Sequence, residues 1–200
     1  MKRDSERKIV ICICGMAGSG KSTVAKRLAK RYGLKYYSGG DALKALAEEM
    51  GYRTCNKGWW ESEEGIRFLQ KRMETLELDR KIDDKLLEWA KEGNVILDSW
   101  TMPWLLKEGF KVWLEASIEV RAKRVAHRDG ISYEEALTYL REKEGRTKMI
   151  YKRLYGFDLG EDFTQFHLIL DVNLLDANEV FKVLCMVVEN LVKKEERISS

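Results

Sequence analysis

Residues 8–33 read KIVICICGMAGSGKSTVAKRLAKRYG and combine the signals of three consecutive structural elements. The segment 8–14 is an unbroken apolar run rich in Ile and Val, which is typical of a β-strand covered on both faces. From Lys21 onwards, apolar side chains recur at helical spacing opposite Lys and Arg, and Gly33 is placed to end the helix. The segment therefore predicts a strand, a glycine-rich loop and an amphipathic helix.

The loop at residues 15–22, called the phosphate loop below, matches the pattern GxxxxGK[ST] at every fixed position. Its glycines let the backbone curl so that several N–H groups point at one anion, and the positive end of the helix dipole adds to the attraction. We expect Lys21 to reach the β- and γ-phosphates of ATP, and the Ser22 hydroxyl to ligate Mg²⁺. The predicted nucleotide-binding residues are Gly15, Met16, Ala17, Gly18, Ser19, Gly20, Lys21, Ser22, Thr23 and, from a later helix, Arg121.

The rest of the chain alternates between apolar strands and amphipathic helices. Further strands are predicted at residues 34–40, 94–98, 110–116 and 166–172, with helices between them. This alternation predicts an α/β fold, a doubly wound and mostly parallel sheet of about five strands with helices on both faces. One domain is expected to account for all 200 residues.

Two helices, at residues 62–73 and 78–91, are predicted between the second and third strands, and a last helix is expected to end near Leu191. Short polar residues at helix starts can accept hydrogen bonds from the first free N–H groups. The predicted caps are Asp41 after the second strand, Ser117 after the fourth strand, Ser132 with Glu135 as a capping box, and Asp176 with Glu179 for the last helix.

Composition excludes several classes of partner. The 36 basic and 33 acidic residues leave a net charge of +3, which is too small to attract nucleic acid or a membrane surface in general. No apolar stretch is long enough to span a bilayer, and the first residues lack the apolar segment of a signal peptide. We therefore expect a cytoplasmic protein that is a monomer or a weak dimer. Four cysteines without metal-ligand spacing are expected to be reduced and structural, namely Cys12, Cys14, Cys55 and Cys185.

Two aspartates follow predicted strands. Asp98 ends the strand at 94–98, where ligands bind in open parallel sheets, and it is expected to hold Mg²⁺ through water or to orient the attacking oxygen. The alternative is a local cap that bonds Ser99 or Thr101. Asp41 also has two possible roles. It could cap a helix, which we prefer, or contact the phosphate acceptor.

Four of the tryptophans between the first helix and the strand at 110–116 are candidates for the acceptor pocket. They are Trp59, Trp60, Trp100 and Trp104. Planar aromatic rings can stack on a base or a sugar, but Trp more often packs in a core. We expect most of the four to pack internally and one to touch the acceptor, and Trp100 is assigned to the acceptor.

Arginines cluster in the helix after the fourth strand. Arg121, Arg124 and Arg128 are spaced by three and four residues and therefore share one helical face. Guanidinium groups neutralise charge on a phosphoryl group in transfer, and a flap that carries them could close over ATP and exclude water. Arg124 and Arg128 are thus predicted to be catalytic, with Lys21 and Asp98. The alternative is a solvated face paired with interleaved carboxylates such as Glu142 and Glu144.

Three segments, residues 15–47, 113–137 and 150–159, resemble the P-loop nucleoside monophosphate kinases, and the archaeal type of cytidylate kinase in particular. This resemblance implies a P-loop NTPase-type fold with a helical acceptor-binding region at about 38–92 and a lid at about 125–150. It also implies transfer of the γ-phosphoryl group of ATP to a small-molecule acceptor, a nucleoside monophosphate with CMP or dCMP favoured. The acceptor-binding residues implied are Ser38, Gly39, Asp41, Lys44 and Trp100.

Some positions depart from the pattern of that family. Lys44 stands where an arginine is common, Ser99 and Trp100 stand in place of Gly-Arg, and Met149 and Ile150 replace frequent arginines. Lysine lacks the planar fork that clamps a phosphate through two hydrogen bonds. Two alternatives therefore stay open at this point. The chain could phosphorylate an alcohol, such as a nucleoside, with Asp98 or Asp41 as the base, or it could be a nucleotide-binding regulator without transfer activity.

Overall fold

The computed structural model describes residues 9–54 and 58–199. Its centre is one sheet of five parallel strands, as the alternation of strands and helices predicts. The strands are β1 (Val10–Cys14), β2 (Lys35–Ser38), β3 (Val95–Asp98), β4 (Phe110–Glu115) and β5 (Leu168–Asp171). Their order across the sheet is β2-β3-β1-β4-β5, so the strand that precedes the phosphate loop is central.

The register brings the carboxyl ends of the strands to one edge. Ile13 of β1 pairs with Asp98 of β3, and Asp98 pairs in turn with Ser38 of β2. On the other side of β1, Cys14 pairs with Trp113 of β4. The phosphate loop, Ser38 and Asp98 consequently meet at the same edge of the sheet, where ligands bind in parallel α/β folds.

Helices cover both faces of the sheet. None of those in the described ranges is long and apolar enough to cross a membrane. The sequence patterns missed the short α5 and a 3₁₀ turn at Trp59–Glu61, and the last helix extends beyond Leu191. The helices are α1 (Lys21–Tyr32), α2 (Gly39–Glu49), α3 (Glu63–Glu74), α4 (Glu77–Glu92), α5 (Met102–Leu105), α6 (Ile118–Asp129), α7 (Tyr133–Tyr155) and α8 (Ala177–Ser199).

Local capping explains where several helices begin. The capping box of Ser132 and Glu135 is present at α7, and Ser117 caps α6 as predicted. The expectation for α2 was wrong, because the cap is Ser38, whose hydroxyl accepts a hydrogen bond from the Asp41 N–H at 3.1 Å. Ser38 has the extended backbone of a cap, whereas Asp41 lies inside the first turn, where its charge complements the helix dipole.

Alternating side chains of β1 build the core on both faces of the sheet. Ile11 and Ile13 pack with α1 and α8 on one face. Cys12 packs with α4 and α5 on the other face, and Cys14 packs there with Trp113. Cys12, Cys14 and Cys185 are buried free thiols, as expected, and Cys55 lies outside the described residues.

Candidate active site

Glycines shape the phosphate loop and allow its backbone to lie close to β4 and α6. Gly15, Gly18 and Gly20 have φ angles of 148°, 83° and 93°, which residues with a side chain rarely adopt. A Cβ on Gly15 would lie 2.6 Å from the carbonyl oxygen of Leu114, and one on Gly18 would lie 2.9 Å from that of Arg121. Only glycine fits at these two positions, so the curl of the loop is fixed by β4 and α6.

The loop opens on a cavity of about 600 Å³, called the site cavity below, which is within the usual size range for small-ligand sites. Residues 17–24, 38–41 and 98–101 all line it. Inside the loop, the Ser19 hydroxyl is buried without a hydrogen-bond partner among the described residues. A buried donor without a partner, surrounded by curled backbone, fits an anionic ligand such as phosphate.

Lys21 and Trp100 lie together at the mouth of the phosphate loop. The Lys21 ammonium is 5.6 Å from the centroid of the Trp100 ring. The Trp100 indole N–H donates a hydrogen bond of 2.6 Å to the carbonyl oxygen of Gly15. Ser22 and Thr23 line the site cavity beside them.

Asp98 lines the site cavity and is only 2% exposed. Its Oδ2 accepts a hydrogen bond of 3.0 Å from the Tyr36 hydroxyl. Burial, followed by the Asp98 charge, raises the pKa of Tyr36, so this phenol stays protonated and donates. The local turn is capped instead by the Ser99 hydroxyl, which accepts from the Thr101 N–H at 3.1 Å. The capping alternative for Asp98 therefore finds no support in its hydrogen bonds.

The structure separates the three arginines of α6. Arg124 and Arg128 line the site cavity, whereas Arg121 is not among its lining residues. Arg124 donates to the carbonyl oxygen of Val172 at 2.7 Å, and burial lowers its pKa. Arg128 donates to the Asp129 carboxylate at 2.7 Å and remains half exposed.

Arg121 does not line the site cavity but stabilises the phosphate loop through hydrogen bonds. It donates to the carbonyl oxygen of Ala17 at 3.1 Å and to that of Ala116 at 2.9 Å. Its guanidinium also forms a buried ion pair with Glu144 of α7. The alternative, in which an arginine pairs with an interleaved carboxylate, therefore applies to Arg121, and this position does not support its predicted contact with the nucleotide.

Four of the five acceptor-binding residues expected from the sequence line the site cavity, and one does not. Ser38, Gly39, Asp41 and Trp100 line the site cavity, but Lys44 does not. Among the other tryptophans, Trp60 also lines the site cavity. Trp59 is buried, and Trp104 stacks on Phe157 with ring centroids 4.1 Å apart.

Sequence reasoning missed three charged residues of the site cavity, Arg72, Asp79 and Asp83, which we call the acceptor wall. Arg72 of α3 and Asp79 of α4 are each 2% exposed, and Arg72 Nε donates to Asp79 Oδ2 at 3.0 Å. A signal existed in α4, since Asp79 and Asp83 are spaced by four residues and continue into the buried Leu86 and Ala90. Two carboxylates in the apolar stripe of a helix indicate a buried polar site.

Asp83 connects the acceptor wall to two other elements. Its carboxylate accepts hydrogen bonds from the Thr101 hydroxyl at 2.5 Å and from the Tyr155 hydroxyl at 2.7 Å. Burial raises the pKa of Asp83 to about 7, while these two hydroxyls oppose the rise. The carboxyl therefore titrates near neutral pH within the wall of the site cavity.

Replacing Asp83 by Asn should flatten the pH dependence of stability. Because the folded pKa is raised from 3.8 to about 7, the folded protein holds a proton that the unfolded chain releases between these values. Asp79 and Arg72 face the same carboxyl and shape its titration. The contribution of Asp83 to the free energy of unfolding should thus fall as pH rises from about 4 to about 7, by at most about 1.4 kcal/mol per pH unit, and remain low above that range.

Urea unfolding of both proteins across this pH range measures the effect. In the Asp83→Asn variant the fall should be absent, whatever its absolute stability. The neighbouring Asp84 is exposed, so Asp84→Asn should keep the slope of the parent protein. Equal slopes in the parent and in Asp83→Asn would show that the carboxyl does not titrate there.

Comparisons with known proteins identify the family of the chain. The family model described as the cytidylate kinase-like family matches residues 10–174. The cytidylate kinase of Pyrococcus horikoshii is 36% identical over 186 residues, which cover 92% of this chain and 90% of that protein. The cytidylate kinase of Methanocaldococcus jannaschii is 33% identical over 190 residues, which cover 92% of this chain and 100% of that protein.

A solved structure supports the fold alone. The shikimate kinase from Acinetobacter baumannii, in complex with shikimate, superposes with a TM-score of 0.54 at 18% identity, covering 92% of this chain and 96% of that one.

The family model extends from β1 to just beyond β5, and the two relatives match nearly the full length of the chain. On these grounds the chain belongs to the cytidylate kinase-like family.

Proposed function

We propose that this protein transfers the γ-phosphoryl group of ATP to a nucleoside monophosphate, with CMP first and dCMP next. The observation that carries the proposal is that one cavity holds both a phosphate loop and a separate charged wall. A phosphotransferase must hold a donor and an acceptor within reach of each other, because positioning supplies much of the rate. The match to cytidylate kinases along most of the chain supports the choice of CMP.

The donor fits the side of the site cavity towards β4 and β5. Leu175 and Ala177 line this side and expose apolar atoms against which a purine ring can pack. From there the triphosphate would extend along the phosphate loop towards Lys21. Arg124 and Arg128 line the same side, where they can neutralise charge on the γ-phosphoryl oxygens.

The acceptor fits the side towards β2 and β3. Ser38, Gly39 and Trp60 line that side, with the acceptor wall beyond them. The main chain at the start of α2 and the adjacent helix dipole favour the acceptor phosphate. Trp60 offers a planar face for stacking, and the acceptor wall offers donors and acceptors for the polar edge of a base.

Ser22 and Asp98 would hold the Mg²⁺ that accompanies ATP. The hydroxyl and the carboxylate line the same cavity, and the described residues contain no cluster of three His, Cys, Asp or Glu able to bind a metal alone. Such a sparse ligand set suits Mg²⁺, which usually keeps several waters and shares its site with substrate phosphates. When bound, the ion neutralises charge on the phosphate oxygens. An acceptor phosphate oxygen is already nucleophilic, so the chain needs to orient it rather than deprotonate it.

Replacing Arg128 by Ala should lower kcat by about 10²-fold and change the KM for ATP much less. The reason is that a cation aimed at charge that develops in the transition state contributes mainly to kcat. Initial rates measured over a range of ATP concentrations separate the two constants. Arg153→Ala, which replaces an exposed arginine of α7 outside the proposed lid, serves as the matched control. An unchanged kcat in Arg128→Ala would remove Arg128 from the catalytic residues.

The proposed function is tested by a panel of acceptors. Purified protein is incubated with ATP, Mg²⁺ and, separately, CMP, dCMP, UMP, AMP, cytidine and simple sugars, and release of ADP is followed by a coupled assay. Release that is fastest with CMP is the expected result. Release only with acceptors that lack a phosphate would replace the proposal by an alcohol kinase. ATP binding without turnover on any acceptor would replace it by a nucleotide-binding regulator.

The remaining assignments belong to the same proposal. Residues 38–92 form the acceptor-binding region, and residues 125–150, which contain the turn between α6 and α7, form a lid that closes over ATP. The family acts on small-molecule nucleotides, which agrees with a cytoplasmic protein that needs no nucleic acid or membrane partner. Sedimentation velocity would test the prediction of a monomer or weak dimer.

A further inference from the structure

Trp100 contacts both ends of the phosphate loop. Its indole N–H bonds the carbonyl oxygen of Gly15, the first loop residue, across a sequence separation of 85 residues. Its ring lies 5.6 Å from the ammonium of Lys21, which begins α1 at the other end of the loop. Trp100 lies two residues after Asp98, which ends β3, so its side chain connects the end of β3 to the loop that follows the neighbouring strand β1.

The hydrogen bond to Gly15 fixes the direction of a loop amide. In a trans peptide the carbonyl and the following N–H point in opposite directions, so a donor that holds the Gly15 carbonyl also orients the Met16 N–H. Gly15 has a φ of 148°, and glycine populates such conformations at a cost in backbone entropy. A short bond of 2.6 Å to a half-buried indole therefore restrains the loop at a glycine, the residue type with the greatest conformational freedom.

The ring contact holds the Lys21 ammonium over the site cavity. A separation of 5.6 Å is within the range in which an aromatic face attracts a cation. A triphosphate carries full negative charges and attracts the ammonium more strongly than the ring does. The contact thus keeps Lys21 near the mouth of the loop and releases it when the nucleotide enters.

We propose that Trp100 is a positioning residue of the phosphate loop, which orders Gly15 through its N–H and Lys21 through its ring before ATP binds. This role differs from the acceptor contact expected from the sequence. An acceptor residue changes the KM for the monophosphate, whereas a residue that orders the phosphate loop changes the affinity for ATP. The two roles can therefore be separated by measurement.

The test compares two substitutions at Trp100 with one elsewhere. Trp100→Phe keeps an aromatic face but loses the N–H, and Trp100→Leu loses both. Loss of one hydrogen bond should weaken ATP binding about fivefold in Trp100→Phe, and loss of the ring should add a further factor of about two to five in Trp100→Leu. Trp89→Phe is the control, because Trp89 stacks on Tyr37 and does not line the site cavity.

Calorimetric titration with ATP alone measures this affinity without any acceptor, so its outcome is independent of the proposed transfer reaction. Thermal unfolding is recorded in parallel, and Trp100→Phe, which is smaller but keeps a planar aromatic ring, keeps the test valid if Trp100→Leu does not fold. ATP affinity equal to that of the control in Trp100→Phe would overturn the proposal. So would an unchanged ATP affinity combined with a raised KM for CMP, which would return Trp100 to the acceptor side.

Discussion

Replacing Lys21 by Ala is expected to lower kcat by about 10³-fold. Lys21 lines the site cavity at the end of the phosphate loop, where its ammonium can reach the phosphates that lose and receive the group. Charge stabilisation of the transferring phosphoryl group is the main catalytic contribution in this class of reaction, and a single preorganised donor is worth about 10²–10³ in rate. A coupled assay of ADP release with CMP as acceptor measures the change.

A second lysine of the same helix provides the control for this substitution. Lys30 lies in the last turn of α1 and is exposed, so Lys30→Ala should turn over at the rate of the parent protein. Calorimetry with ATP shows whether Lys21→Ala still binds the nucleotide, which separates loss of catalysis from loss of binding. Unchanged turnover in Lys21→Ala would refute the assignment of the phosphate loop.

The phosphate loop and the sheet could be predicted because their signals are local. An apolar run, three glycines at fixed spacing and an amphipathic helix occupy one continuous stretch, and the positions of Gly15, Gly18 and Gly20 follow from backbone conformations that only glycine adopts easily. Ser38 shows the limit of such reasoning. Two capping residues three positions apart compete for one helix start, and the extended backbone after β2 decides in favour of the first.

The fate of the α6 arginines could not be predicted from their spacing. Arg121 and Arg128 are two helical turns apart and share a face, but they lie about 10.5 Å apart along the axis. Arg121 is in the first turn of α6, close to the phosphate loop and α7, and its charge is neutralised by the Glu144 carboxylate. Arg128, near the far end, reaches the site cavity. Helical spacing predicts which residues share a face of the helix. The function of each residue depends on which part of the protein that face contacts at its position along the helix.

The acceptor wall depends on contacts that the sequence does not reveal. Arg72 and Asp79 belong to different helices, and both are removed from water only because α3 packs against α7 while α4 packs against α2 and β3. In the sequence alone, an arginine and an aspartate of two charged helices cannot be told apart from an exposed ion pair. Only the buried fraction of their side chains distinguishes the two cases. Arg67 and Glu63 of α3 form such a pair, at 3.7 Å, with 69% and 93% of their side chains exposed.

Replacing Arg72 by Leu should destabilise the protein by about 3–5 kcal/mol, because it leaves the Asp79 carboxylate buried without its partner. For a chain of this size the midpoint of thermal unfolding should fall by roughly 10 °C. Urea unfolding measures the free energy directly. Arg67→Leu, which breaks the exposed pair on the same helix, should change it by less than about 1 kcal/mol.

The double replacement of Arg72 and Asp79 by Leu distinguishes the cause. If the cost comes from an isolated buried charge, removing that charge as well should recover most of the lost stability, since a buried pair contributes little net energy compared with apolar side chains. A double variant as unstable as the sum of the two single variants would instead mean that the shape of the pair, rather than its charge balance, holds α3 and α4 together. Because Arg72 also lines the site cavity, the recovered double variant should fold well and yet show a raised KM for CMP. Stability restored without any change in that KM would remove the acceptor wall from the acceptor site.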